Sequence, residues 1–116
     1  MNQDPSTPTE GPWAADIDCL LTLAMPLALE EEMLDLLRQH ADLVPGFSVI
    51  QGHGIGIHAP LTTAMEQVQG RARRVFVHMV MRSGDVAPLV ARLREVLQSP
   101  QVFYWTVPLQ TFGRLA

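Results

Sequence analysis

The residues best suited to chemistry sit in two short stretches. In "GHGIGIHAP" (residues 52–60), His53 and His58 stand five positions apart. This H-x4-H spacing is the one used by the histidine half of many zinc sites, and imidazole also suits copper, nickel and cobalt. Two ligands make half a site. The missing donors would come from His78, from Glu66 or from a neighbouring subunit. The plainer alternative makes His53 a backbone-bonded residue at the root of a loop and leaves His58 in solvent. Met79 and Met81 offer soft sulfur to Cu(I), although methionines spaced this way on a strand usually serve packing. The cofactor chemistry on offer is thus a divalent transition metal or Cu(I).

The second stretch, "GRARR" (residues 70–74), sets three arginines behind a glycine. Arginine forks match phosphate and carboxylate geometry. A bound nucleotide would draw on Gly52, Gly54, Arg71 and Arg73, with Arg114 a more distant addition. The competing reading is a solvated strand entrance that balances an acidic helix. His78 alternates with Phe76 and Val80, the pattern of a paired core or interface histidine, with a ligand or pH-sensing role as the alternative. His40 fits a favourable charge at a helix C-terminus. Cys19 shares a parity with Ile17 and Leu21 and reads as a small buried hydrophobe. No catalytic triad order, carboxylate pair or redox cysteine pair is legible, so a non-enzymatic role is expected.

The elements that must hold these residues follow from composition and periodicity. With 116 residues, 47% of them hydrophobic and only 17% charged, the chain fits one core. The net charge is −4 and all eight cations are arginine. That balance argues against nucleic acid, which needs a basic face to neutralise phosphates. A single cysteine suits a reducing, cytoplasmic setting, and no apolar run approaches the ~20 residues of a membrane span. Residues 1–15 are rich in Pro, Thr and Ser and read as a flexible N-terminal tail before a domain over residues 16–116.

"DIDCLLTLA" (residues 16–24) and "RVFVHMVM" (residues 74–81) are apolar on both parities, as strands covered on two faces are. Pro26 opens a helix with Glu30, Glu31 and Glu32 in its first turn and Leu29, Met33, Leu36, Leu37 and His40 at helical spacing, stopped by Pro45 and Gly46. Residues 47–54 form a shorter strand. The connection over residues 55–70 is far longer than a hairpin needs, and within it "TAME" (residues 63–66) has capping-box spacing. Ser83 or Asp85 caps a second helix, striped by Val86, Leu89, Val90, Leu93 and Leu97. Residues 102–109 supply a last strand, which Pro108 marks as an edge.

The order βαββαβ predicts an α+β, ferredoxin-like antiparallel sheet with two helices on one face and the first and third strands central. Two helices cover only one face. Phe76, Val80, Phe103 and Trp105 call for cover on the other, which predicts a closed ring of copies.

This layout resembles the PII-like superfamily, ferredoxin-like trimers with a long T-loop between strands two and three. More narrowly, "GHG", "EQVQGR", "RRVFVHM" and "YWTVP" resemble an uncharacterised PII-like family often encoded beside heavy-metal efflux pumps of the resistance-nodulation-division type. The resemblance covers residues 16–116. It implies a homotrimeric signalling protein whose T-loop answers a small ligand or metal ion, with a heavy-metal efflux transporter or its regulation as partner.

Three departures from the nitrogen-signalling PII proteins stand out. Their Gly- and Lys-containing phosphate loop is reduced here to Ser99, Pro100 and Gln101. Ile55 and Gly56 replace the Arg-Gln pair at the loop root, and Tyr104 is the only tyrosine. One rival is a CutA-like metal-binding tolerance protein on the same scaffold. Another is a small monooxygenase on a dimeric ferredoxin-like barrel.

Overall fold

A computed structural model of the chain describes residues 16–56 and 59–116, so the tail and His58 lie outside the described residues. The strands are β1 (Cys19–Pro26), β2 (Ser48–Gly54), β3 (Ala72–Met81) and β4 (Phe103–Pro108). The helices are α1 (Glu30–Gln39), a short α2 (Ala64–Gln69) and α3 (Val86–Val96). The four strands form one antiparallel sheet in the order β2-β3-β1-β4, with the most apolar pair in the middle. This is the ferredoxin-like βαββαβ arrangement, with α2 an additional turn inside the β2–β3 connection.

Strand alternation divides the sheet into two unlike faces. Leu21, Leu23 and Met25 of β1 and Val75, Val77, Met79 and Met81 of β3 join one buried cluster with Met33, Leu36 and Leu37 of α1 and Leu89 and Leu93 of α3. Met79 and Met81 are therefore core. The pairings Thr22↔His78, Ala24↔Phe76 and Thr22↔Trp105 place the other parity together on the opposite face. There Phe76 and Val80 are half-buried, while Ile50 and Trp105 stand 51% and 45% exposed. His78 Nδ1 lies 3.0 Å from Thr22 Oγ1, so this histidine is paired at the centre of the open face. Cys19 is buried on the helix-side parity, and its burial pushes the thiol pKa up.

Several boundaries differ from the sequence expectation. Pro26 ends β1 instead of opening the helix: it is extended (φ −62°, ψ 149°), and a single 3-10 turn over Leu27–Leu29 intervenes before Glu30. Helix α1 stops at Gln39, well before Pro45. His40 leaves helical geometry, and its carbonyl accepts the N–H groups of Leu43 and Val44, a turn that returns Val44 to the core. Neither Ser83 nor Asp85 caps α3 with its side chain. Charged and sequence-distant partners win instead: Asp85 Oδ2 accepts from Arg82 Nε at 2.9 Å, while the Ser83 N–H donates to Asp18 Oδ1 at 2.7 Å.

Leu21 is fully buried between both helices and the sheet. Leu21→Ala is expected to destabilise the fold by roughly 2–5 kcal/mol, through lost transfer energy and the cavity left behind. Denaturant midpoints at unchanged slope would read this directly.

Candidate functional site

The adjoining ends of β2 and β3 gather the polar residues. Register sets Gly52 opposite Arg74, His53 opposite Arg73 and Gly54 opposite Ala72. A cleft of about 230 Å3 opens here, lined by Leu27, Gln51, Gly52, His53, Arg73 and Arg74. Of the residues expected to bind a ligand, Gly52 and Arg73 line the cleft and Gly54 adjoins it. Arg71 precedes β3 as an exposed residue outside the lining, and Arg114 is exposed in the C-terminal segment.

Arg74 was not singled out by spacing, and it is the most unusual member of the cleft. It shares the parity of Phe76, His78 and Val80 and is only 5% exposed. The ion pairs among the described residues are Arg38–Asp35, Arg82–Asp85 and Arg92–Asp42, and none of them involves Arg74. Desolvation lowers its pKa from the ordinary guanidinium value. An arginine nevertheless keeps its proton in a folded protein. The result is a largely covered arginine with no carboxylate partner among the described residues, and its guanidinium still reaches the cleft, since no fully buried side-chain nitrogen or oxygen among them lacks a hydrogen-bond partner. A partner anion would complete it.

Glycine makes the tight packing here possible. A Cβ on Gly54 would lie 2.8 Å from Ala59 Cβ and 3.0 Å from Arg74 Cγ, so a side chain is excluded. The start of the long connection thus folds back onto Gly54, and Ala59 is buried against it.

The far end of the connection is fixed by one carboxylate. Thr63 caps α2 by accepting from the Glu66 N–H at 3.1 Å, and Glu66 completes the capping box by accepting from the Thr63 N–H at 3.3 Å. Glu66 Oε1 also accepts from the backbone N–H and the hydroxyl of Thr62, at 2.8 and 3.1 Å. Its Oε2 takes the Arg73 N–H at 2.8 Å, beyond the last β1 pairing at Pro26↔Arg74. Gly70 closes α2 in the left-handed region (φ 73°), which suits a residue without Cβ. The hydrogen bonds hold the Glu66 pKa down at about 2, against 4.5 for a free glutamate.

These bonds occupy the Glu66 carboxylate as a clamp, away from the ligand role considered for it. His53 and His78 sit on opposite sheet faces and, by register, five residues apart along β3, about 16 Å at ~3.3 Å per residue. One protomer therefore does not unite them. No group of three or more His, Cys, Asp or Glu suited to a metal occurs among the described residues. None of their helices is long and apolar enough to cross a membrane.

The fold is the ferredoxin-like one that PII-like proteins also have. Within that class, the chain belongs over residues 16–116 to the family described as "Protein of unknown function (DUF3240)". No curated protein matches it. Among solved structures, it is similar to a DUF3240 protein from Shewanella baltica OS155, at 19% identity and a TM-score of 0.67, covering 86% of this chain and 98% of that one. CPII from Thiomonas intermedia K12 is a nitrogen regulatory PII-like protein bound to ADP, AMP and bicarbonate. It matches at 16% identity and a TM-score of 0.61, over 84% of this chain and 96% of that one. The GlnK–ATP complex of B. subtilis matches at 14% and 0.56, over 82% and 86%.

Two predictions follow from this geometry. Because the folded carboxyl of Glu66 is the stronger acid, its stabilising contribution is complete above pH 4.5 and is lost as pH falls toward 2. Amide exchange in α2 should accelerate over that window in the wild type and be fast throughout in Glu66→Ala. Gly54→Val should displace Ala59, seen as accelerated amide exchange in residues 55–62, while the β1–β3 amides keep their protection.

Proposed function

We propose that the chain is a homotrimeric PII-like regulatory protein that senses a small anion at the root of its T-loop. Arg74 carries this reading. A largely covered arginine at a cleft with no carboxylate partner among the described residues is suited to meet an anion, and a ligand bearing carboxylate, carbonate or phosphate supplies one. Arg73 and Arg71 extend the positive field, and Gly52 lets a ligand approach the backbone, while Gly54 serves the close packing of Ala59 and Arg74. The ADP, AMP, bicarbonate and ATP named for CPII and GlnK belong to the same chemical class. Ser99, Pro100 and Gln101 make a short link with no glycine-rich phosphate cradle, which favours a compact anion over a triphosphate.

Signalling then follows by population shift. The anion neutralises Arg74 beside the seam where Ala59 packs on Gly54, and so biases the first half of the loop while Glu66 holds the second half. The exposed apolar face of Ile50, Phe76 and Trp105 supports assembly, since sister copies would bury it. His53, at the same cleft, gives a metal ion a second route to the loop, with His58 or a neighbouring copy completing the ligand set. The link to a heavy-metal efflux pump rests on the resemblance of the sequence motifs.

Sedimentation equilibrium should return three times the protomer mass. Calorimetry should detect at least one of bicarbonate, AMP, ADP and ATP, with affinity reduced at least tenfold in Arg74→Met. Without ligand, Arg74→Met should be as stable as the wild type or more so, because it removes a desolvated charge. Anion binding that ignores Arg74 would contradict the proposal. Zn2+ or Cu(I) binding lost in His53→Ala, with no anion bound, would transfer the sensing role to metal.

A further inference from the structure

A second hollow lies on the helix side of the sheet, at the same end as the loop root but two strands across from β3. It is a half-open space of about 400 Å3 between α1, α3 and the entry to β4. Leu23, Met33, Val90, Leu93, Leu97 and Val102 form its apolar walls. A space of this size falls within the ~300–1,000 Å3 range of small-ligand pockets.

The mouth is polar and carries one charge. Arg94 holds its guanidinium 5.8 Å above the centre of the Tyr104 ring. Its neighbour Arg92 pairs with Asp42 at 2.9 Å, whereas none of the carboxylate pairs among the described residues engages Arg94. The ring contact favours this placement of the exposed Arg94 and leaves its donors turned to an acceptor at the rim. The adjacent carbonyl end of α3 repels anions. A ligand's negative group is therefore confined to the Arg94 side of the mouth, and the part that enters must be uncharged and apolar.

We propose that this hollow binds an amphipathic monocarboxylate, an acyl or aromatic chain of medium length whose carboxylate meets Arg94 at the rim. The site is independent of Arg74 and of the sensing role assigned to the loop root.

Calorimetry of the full chain with octanoate, octanol and acetate tests this. Octanoate should bind, acetate should not, and octanol should bind more weakly than octanoate. Arg94→Gln should weaken octanoate at least fivefold while leaving octanol unchanged. Val90→Phe should fill the hollow and abolish both. Gln98→Trp, at the exposed rim, should obstruct both even if the core variant does not fold. Arg74→Met should leave octanoate binding intact, which separates failure here from failure at the loop root. Absence of octanoate binding, or octanoate binding indifferent to Arg94→Gln and Gln98→Trp, would overturn the assignment.

Discussion

An arginine whose side chain is largely covered on the open side of the sheet, with its guanidinium at a cleft and no carboxylate among the described residues to answer it, is the constraint on which the rest of the molecule turns. Arg74 sits where β1 ends and β2 meets the long connection. Its side chain is largely covered and its charge does not titrate away. Nearby packing accommodates the side chain closely: Gly54 has no Cβ because Arg74 and Ala59 occupy that space. Whatever neutralises Arg74 acts at the point where the connection leaves the sheet.

The connection has two mechanically different halves. Its second half is a short helix closed by a capping box, with the Glu66 carboxylate tied to Thr62, Thr63 and the backbone of Arg73. Among the described residues of its first half, Ala59 packs on Gly54 and donates its N–H to the Gly56 carbonyl at 3.1 Å. Local stability follows the density of such bonds, which is higher around Glu66 than at the Gly54–Ala59 contact. On the trimer reading, the apolar side of the sheet places the first half next to a sister chain, where a change in the loop reaches the assembly surface.

Much of the fold was legible because its signals were redundant. Both-parity apolar runs identified β1 and β3 as the central pair, and the Thr63–Glu66 spacing announced its capping box. Boundaries were harder wherever a competing local interaction decided them. Pro26 suits a strand end as well as a helix start, and Asp85 abandoned the α3 cap for Arg82. Arg74 carried a readable signal, a charge on the same parity as Phe76 and Val80. Spacing alone gave it no priority over Arg71 and Arg73, because burial depends on the partner strand and on the connection folding back. The role of Glu66 in holding the Arg73 amide was equally invisible, since it depends on β1 stopping one residue short.

The most direct measurement is of the guanidinium itself. Nitrogen-15 spectroscopy of arginine side chains, assigned with Arg74→Met, can follow the Arg74 Nε–Hε group as bicarbonate and then AMP are added. The account predicts a saturable shift of this resonance, with slower hydrogen exchange in the bound state and smaller changes at exposed Arg38. An Arg74 resonance that remains unmoved while either compound binds elsewhere on the chain would contradict it.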